Sequence, residues 1–278
     1  MIINSTPTIK LNNDVDMPLL GLGTYRALGD EGKAAVQFAL THGYDMIDTA
    51  QAYDNEPQVG DGWKASGRTR GDIFITTKIR NGNQGYESTL TSFSKSLEKL
   101  QTDYVDLLLI HWPNIQDFNR TLTTWQAMIE LYKDGLCRSI GVSNFSIPLL
   151  EKLIDETDLV PAVNQVEFHT FLYQKELLDF CNEQAIRIEA YTPIARGKYF
   201  DHAQIQGVAE KYQKTPAQVM LGWCIQHNIP VIPKSVHNNR ILENRDSFFE
   251  LAPQDMEILD NLKPQTRLID SPNAPPSW

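Results

Sequence analysis

The sequence predicts an α/β fold: a (β/α)8 barrel, preceded by a β-hairpin and followed by extra helices. Three observations carry this expectation. Apolar runs of strand length recur at intervals of about 30 residues, the length of a β–α unit. Segments with helical periodicity separate them, and no low-complexity linker interrupts the series. No GxGxxG follows the first strand, where "GLGTYR" has the wrong spacing for a doubly wound dinucleotide fold.

The elements follow in order. "TPTIKLNNDVDMPLL" reads as two short strands around an Asn-Asn-Asp turn, a hairpin suited to cap a barrel floor. The predicted barrel strands are Leu19–Thr24, Tyr44–Asp48, Ile73–Lys78, Val105–His111, Ser139–Ser143, Ala162–Glu167, Arg187–Tyr191 and Ile229–Pro233. "VDLLLIH" is apolar nearly throughout, as a parallel strand covered on both faces should be. Between the strands, Asp30–His42 places Ala34, Ala35, Phe38 and Ala39 on one side and ends at Gly43. Glu87–Leu100 spaces Leu90, Phe93, Leu97 and Leu100 helically, and Ser146–Ile154 opens on a capping serine followed by Pro148. Helices Asn238–Asp246 and Pro253–Leu262 come after the last strand, and the Pro-rich "DSPNAPPSW" reads as irregular. Residues 1–278 are expected to form a single barrel domain.

Composition narrows the function. The chain has 278 residues, 41% hydrophobic and 22% charged, an ordinary globular balance. A net charge of −10 argues against nucleic-acid and anionic-membrane partners. No apolar run reaches the ~18 residues that span a bilayer. "MIINSTPTIKLNN" lacks the basic start and apolar core of a signal peptide. Cys137, Cys181 and Cys224 are scattered and odd in number, which reads as packed, reduced thiols of a cytoplasmic protein. Without CxxC or HExxH, no metal site is expected.

In such a barrel the chemistry lies where strands end. The second strand ends at Asp48, with Tyr53 in its loop; the third ends at Lys78 and the fourth at His111. One such residue alone reads as structural, whereas three consecutive strands ending on ionisable groups point to a site. A phenol, with an ordinary pKa of ~10, is a poor proton donor at neutral pH, and a nearby ammonium should lower that value. A partly buried ammonium needs a carboxylate beside it. Asp48 is therefore expected to hold Lys78, Lys78 to tune Tyr53, and Tyr53 to protonate a forming oxyanion, with His111 fixing its direction. This set suits carbonyl reduction, and since no side chain supplies a hydride, a nicotinamide is required.

"GLGTY", "IDTAQAYDNEPQVG", "ITTKI", "TDYVDLLLIHWP", "GVSNF", "NQVEFH" and "IPKS…NRILEN" resemble the aldo-keto reductases, in order and across nearly the full chain. The resemblance implies a (β/α)8 reductase using NADPH without a metal, with Asp48, Tyr53, Lys78 and His111 as its catalytic tetrad. It implies that Ser143, Asn144 and Gln165 hold the nicotinamide carboxamide and that Tyr191 stacks on the ring. The loop "TPIARGK", with Arg196, lies where members contact the pyrophosphate. Lys234, Ser235 and Arg240 fall in the segment that binds the adenosine 2′-phosphate, and Glu243 and Asn244 where adenine is met.

The pocket lining is expected to include Tyr25, Tyr53, His111 and Trp112. Tyr25 and Arg80 stand where many members have tryptophan. Two readings of Arg80 stay open: it binds a substrate carboxylate, or it points to solvent. The loops and the C-terminus resemble the bacterial branch that includes 2,5-diketo-D-gluconate reductase B and methylglyoxal reductases. This implies a small aldehyde, an α-dicarbonyl or a keto-sugar acid as substrate, and a monomer. Two alternatives are a cofactor-sensing regulatory subunit on the same fold and a barrel hydrolase using Asp48 and His111; the second lacks a carboxylate pair or metal cluster at the rim.

Overall fold

Thr8–Lys10 (β1) and Asp16–Pro18 (β2) pair antiparallel around a turn in which Asp14 takes the left-handed conformation at φ 65°. A computed structural model of the chain describes residues 6–269. The tail "DSPNAPPSW" and the first five residues of the segment read for a targeting signal lie outside the described residues. The predicted hairpin is therefore present, and it closes the barrel floor. Its Leu11 and Met17 are buried with Met46, Phe74, Leu107, Leu109 and Val163 in one apolar cluster. Side-chain amides of its turn residues Asn12 and Asn13 donate to Pro161 O and Arg138 O, at 3.2 and 2.9 Å.

Seven parallel strands follow in sequential order: Leu22–Gly23 (β3), Met46–Asp48 (β4), Phe74–Ile79 (β5), Val105–Ile110 (β6), Cys137–Ser143 (β7), Val163–Glu167 (β8) and Arg187–Tyr191 (β9). The expected eighth strand is reduced to isolated bridges through Val231 and Lys234. Pro230 and Pro233 have no N–H to give a ladder. The remaining groups still close the barrel. Gly21 N donates to Val231 O at 2.9 Å, Val231 N to Leu19 O at 3.0 Å, and Ala190 N to Pro230 O at 2.8 Å.

The apolar run of β6 is explained by its two covered faces. Leu107 and Leu109 join the interior cluster, while Leu108 and Ile110 face the layer between strands and helices. Helices α1 (Gly29–Thr41), α2 (Glu56–Ala65) and α3 (Tyr86–Leu100) cover one side. The stripe of α1 is rotated from the expected one: Ala35, Val36, Ala39 and Leu40 are buried and Ala34 is exposed. On α2, glycine is required by close approach. A Cβ at Gly60 would lie 2.5 Å from Lys99 O, and one at Gly62 2.7 Å from Val36 Cβ. Then come α4 (Phe118–Lys133), α5 (Ile147–Thr157), α6 (Lys175–Glu183), α7 (Ala203–Tyr212), α8 (Pro216–Gln226), α9 (Asn238–Arg245) and α10 (Pro253–Asp260). Ser146 stands at the N-cap of α5 with no side-chain cap bond.

Low on β6, Asp106 is buried and ties three elements. It accepts from Ile75 N at 2.9 Å, Arg70 Nη2 at 2.7 Å and Arg138 Nη1 at 2.9 Å. Removing Asp106 leaves the buried Ile75 N–H and one side of the Arg70 guanidinium without their acceptor, while the half-exposed Arg138 can turn to water. Asp106→Ala should cost about 3 kcal/mol of stability, read as a lowered urea midpoint with an unchanged slope; a shift under a third of that would show that Arg70 and Arg138 find other acceptors.

Candidate active site

Asp48 ends β4 and pairs in register with Thr76 of β5, so Lys78 lies two residues further along on the same face. Both side chains are buried, at 2% and 0% exposure. Lys78 Nζ lies 2.7 and 2.8 Å from the two Asp48 oxygens and 2.9 Å from Thr49 O. An ammonium has three hydrogens, and these acceptors use them all. The Tyr53 hydroxyl stands 3.5 Å from Nζ, at the edge of hydrogen-bonding range.

Tyr53 is placed by a short 3₁₀ turn, Gln51–Tyr53, directly after β4. Asn55 pins that turn from inside. Its Oδ1 accepts from Thr49 Oγ1 at 2.7 Å, and its amide donates to Thr24 O and Ala27 O at 2.7 and 3.0 Å. The Tyr53 ring meets His111 edge-on at 5.5 Å and Tyr25 at 5.2 Å. The expected acidification of Tyr53 does not hold. Burial, and then the negative charge of Asp48, keep the phenol well above its ordinary range. Lys78 is turned onto Asp48 and Thr49 instead. Burial also holds His111 well below the usual histidine range, with Lys78 adding to the effect, so the imidazole is neutral. Burial raises the Asp48 carboxyl, and Lys78 opposes this through charge and hydrogen bonds.

These groups open into a cavity of about 510 Å³, also lined by Trp112, Ser143, Asn144, Gln165 and Tyr191. Asn144, left-handed at φ 65°, is the joint of that wall. Its amide nitrogen donates to His111 O and Ser143 Oγ, both at 3.0 Å, and its oxygen accepts from the Tyr191 hydroxyl at 2.7 Å. Ser143 Oγ passes a hydrogen to Gln165 O at 2.8 Å. Beyond Tyr191, the loop holds Thr192, Ala195 and Arg196 at φ 53°, 47° and 54°. Left-handed conformations cost energy for residues with a Cβ and gather at functional rims. Arg196 lines the cavity there.

The far end of the expected groove is built by the closing segment and α9. Lys234 lines the cavity and is exposed, as is Arg240 in the first turn of α9. Ser235 is buried, and its hydroxyl accepts from His237 N at 3.1 Å. Glu243 turns inward: its carboxyl accepts from Thr215 Oγ1 at 2.6 Å, and its neighbour Asn244 is buried. Arg80 is not among the residues that line the cavity. Strand β5 stops at Ile79, and the chain turns at Arg80 into a 3₁₀ turn, its N–H donating to Gln51 Oε1 at 3.0 Å.

Several lining residues have no signature in the sequence. Leu268 and Ile269, from the strap after α10, form part of the wall. Glu167, buried at the end of β8, holds the strap: its two oxygens accept from Leu268 N at 2.7 Å and Ile269 N at 2.9 Å. Partners about a hundred positions apart leave no local pattern to read. Glu189 on β9 is fully buried beside Gln165, yet a single glutamate in a strand reads as solvent-facing.

The chain was compared with known families, proteins and solved structures. The model of the aldo/keto reductase family matches residues 19–264. A glyoxal reductase from Bacillus subtilis is 47% identical over 268 residues, covering 96% of each chain. The crystal structure of an aldo/keto reductase from Brucella melitensis superposes with a TM-score of 0.89 at 45% identity, over 92% of this chain and 99% of that one. A mutant of Gox0644 in complex with NADPH superposes at 0.92 with 38% identity, over 97% and 98%. On its family match, its identity to relatives and the fold it shares with them, the chain belongs to the aldo/keto reductase family and is an oxidoreductase.

Proposed function

We propose that the protein reduces the carbonyl group of small aldehydes and α-dicarbonyls to an alcohol, using NADPH. The observation that carries this reading is the Tyr53 hydroxyl, standing over a dry Lys78–Asp48 pair and facing a cavity it shares with a neutral His111. The resemblance to a glyoxal reductase supports the substrate class, and a relative that binds NADPH supports the cofactor.

The donor set suits that cofactor. Gln165 directs its amide hydrogens into the protein, leaving its carbonyl oxygen as a cavity acceptor for a carboxamide. Lys234 and Arg240 are two exposed cations near the start of α9, where an anion also meets a positive helix end. Gln165 and Tyr191 would hold the nicotinamide end and Lys234, Ser235 and Arg240 the 2′-phosphate; bound there, NADPH supplies the hydride.

The raised pKa makes Tyr53 a weaker acid, one that can give its proton only to a strongly basic oxygen. The phenol stays protonated through neutral pH. An alkoxide is far more basic than a phenolate, so the proton moves to the substrate oxygen as negative charge develops on it. The ammonium 3.5 Å away then stabilises the phenolate left behind. His111, being neutral, can donate one hydrogen bond to the same oxygen without competing for its proton.

Tyr53→Phe should lower turnover of methylglyoxal about a hundredfold or more, while NADPH affinity, read by quenching of protein fluorescence, stays near wild type; near-normal turnover would end the proton-donor role. Replacing Lys234 and Arg240 together by alanine should weaken NADPH by about a hundredfold, two charge-assisted bonds at ~1.5 kcal/mol each. NADH binding should change little, and equal weakening of both would contradict the phosphate assignment.

A further inference from the structure

The barrel interior holds an ionisable group that the proposed reaction does not use. Glu189 of β9 is fully buried, in register beside Gln165 of β8. Gln165 Nε2 donates to Asp48 Oδ2 at 2.8 Å and to Glu189 Oε2 at 2.7 Å. An ionised carboxylate accepts only, so the end of Gln165 that faces Asp48 must be its NH₂. With both hydrogens engaged, that amide has one orientation.

We infer that Glu189 is a positioning residue of this site: with Asp48 it claims both amide hydrogens of Gln165 and so turns the Gln165 carbonyl oxygen toward the cavity, where a nicotinamide carboxamide donates to it. The role in cofactor recognition rests on the carbonyl-reductase reading above. Glu189 does this as a neutral acid. The groups that face it are Asp48 from β4, Lys78 from β5, Gln165 from β8 and Tyr53 from the turn after β4. Two carboxylates thus share one ammonium, and Lys78 is already bound to both oxygens of Asp48. Glu189 Oε1 is buried without a hydrogen-bond partner, which an ionised oxygen would not tolerate. In agreement, burial, and then the charge of Asp48, push Glu189 up to about 8, against the pull of Gln165 and Lys78.

The charge state has two effects. When Glu189 loses its proton, a second negative charge appears near Tyr53 and opposes phenolate formation, so turnover falls as pH rises through about 8. Stability also depends on pH without any cofactor. The unfolded glutamate titrates near its ordinary 4.5 and the folded one near 8, so between them the native state binds the extra proton. Stability contributed by this group is therefore full below about 4.5 and declines as pH rises to about 8.

The test uses Glu189→Gln, whose amide oxygen still accepts from Gln165, and Glu189→Leu, which cannot accept. In the cofactor-free protein, the urea midpoint of Glu189→Gln should rise relative to wild type from pH 5 to pH 8 and then level; a constant difference overturns the neutral-acid assignment. By fluorescence quenching, Glu189→Leu should bind NADPH about tenfold more weakly, the loss of about one oriented hydrogen bond, with Glu189→Gln restoring most of the affinity. Equal affinity of Glu189→Leu and wild type overturns the positioning role. Glu189→Gln should also lack the fall in turnover near pH 8, and its persistence there would assign that fall to another group. Failure of wild type to bind NADPH at all would instead strike the cofactor reading and leave the stability arm to judge the charge state.

Discussion

A lysine ammonium with no exposed surface must be fully paired or it cannot stay charged. Desolvating the two ions of a buried pair costs several kcal/mol each, and attraction offsets this only when the remaining hydrogen-bonding positions are also met. Lys78 meets that condition with Asp48 and Thr49 O, which are adjacent in sequence because one is the last residue of β4 and the other the next carbonyl. The pair therefore requires a barrel in which β4 and β5 are neighbours in a fixed register. It also divides the interior. Below it lies an apolar cluster, from Leu11 and Met17 of the hairpin up to Leu107 and Leu109. Around and above it the polar groups Gln165, Glu189, Tyr53 and His111 gather into one network.

Around that fixed centre, the rim is organised by hydrogen bonds between loops that are distant in sequence. Asn144 joins His111 to Tyr191 across three strands, Asn55 fastens the Tyr53 turn to the first loop, and Glu167 fastens the strap. Asn144 keeps its left-handed conformation with its side chain bonded to His111 O, Ser143 Oγ and the Tyr191 hydroxyl. The strands below are covered on both faces and cannot shift without exposing apolar surface. This is the usual division in such barrels, with stability beneath and chemistry on the loops above.

What the sequence makes legible divides along the same line. Strands such as Val105–Ile110 follow from apolar runs, and Asp48, Lys78 and His111 follow from where the predicted runs stop, with Tyr53 in the loop after the first of them. Ile229–Pro233 is legible as apolar but not as a ladder, because its two prolines remove the donors while leaving the hydropathy unchanged. Arg80 would share the face of Lys78 if β5 continued, but the strand ends at Ile79 and the backbone enters a 3₁₀ turn there. Glu189, Asn55 and the Glu167–strap contact depend on partners brought together by closure of the barrel. No local period encodes them.

The phenol shows most plainly why a correct list of residues does not by itself give their energetics. Placing an ammonium near Tyr53 suggests a lowered pKa, since the attraction is easy to imagine and the desolvation is not. In the folded chain the same ammonium is shared first with Asp48, whose charge acts on Tyr53 with the opposite sign, and burial outweighs both. The result suits one direction of the proposed chemistry better than the other. Reduction needs a protonated phenol, which is the resting form here at every neutral pH. Oxidation of an alcohol needs the phenolate as a base, and forming it first means working against burial, Asp48 and, above about pH 8, Glu189. Burial, with the charge of Asp48 added to it, thus keeps the proton on Tyr53 until an oxygen more basic than a phenolate forms beside it.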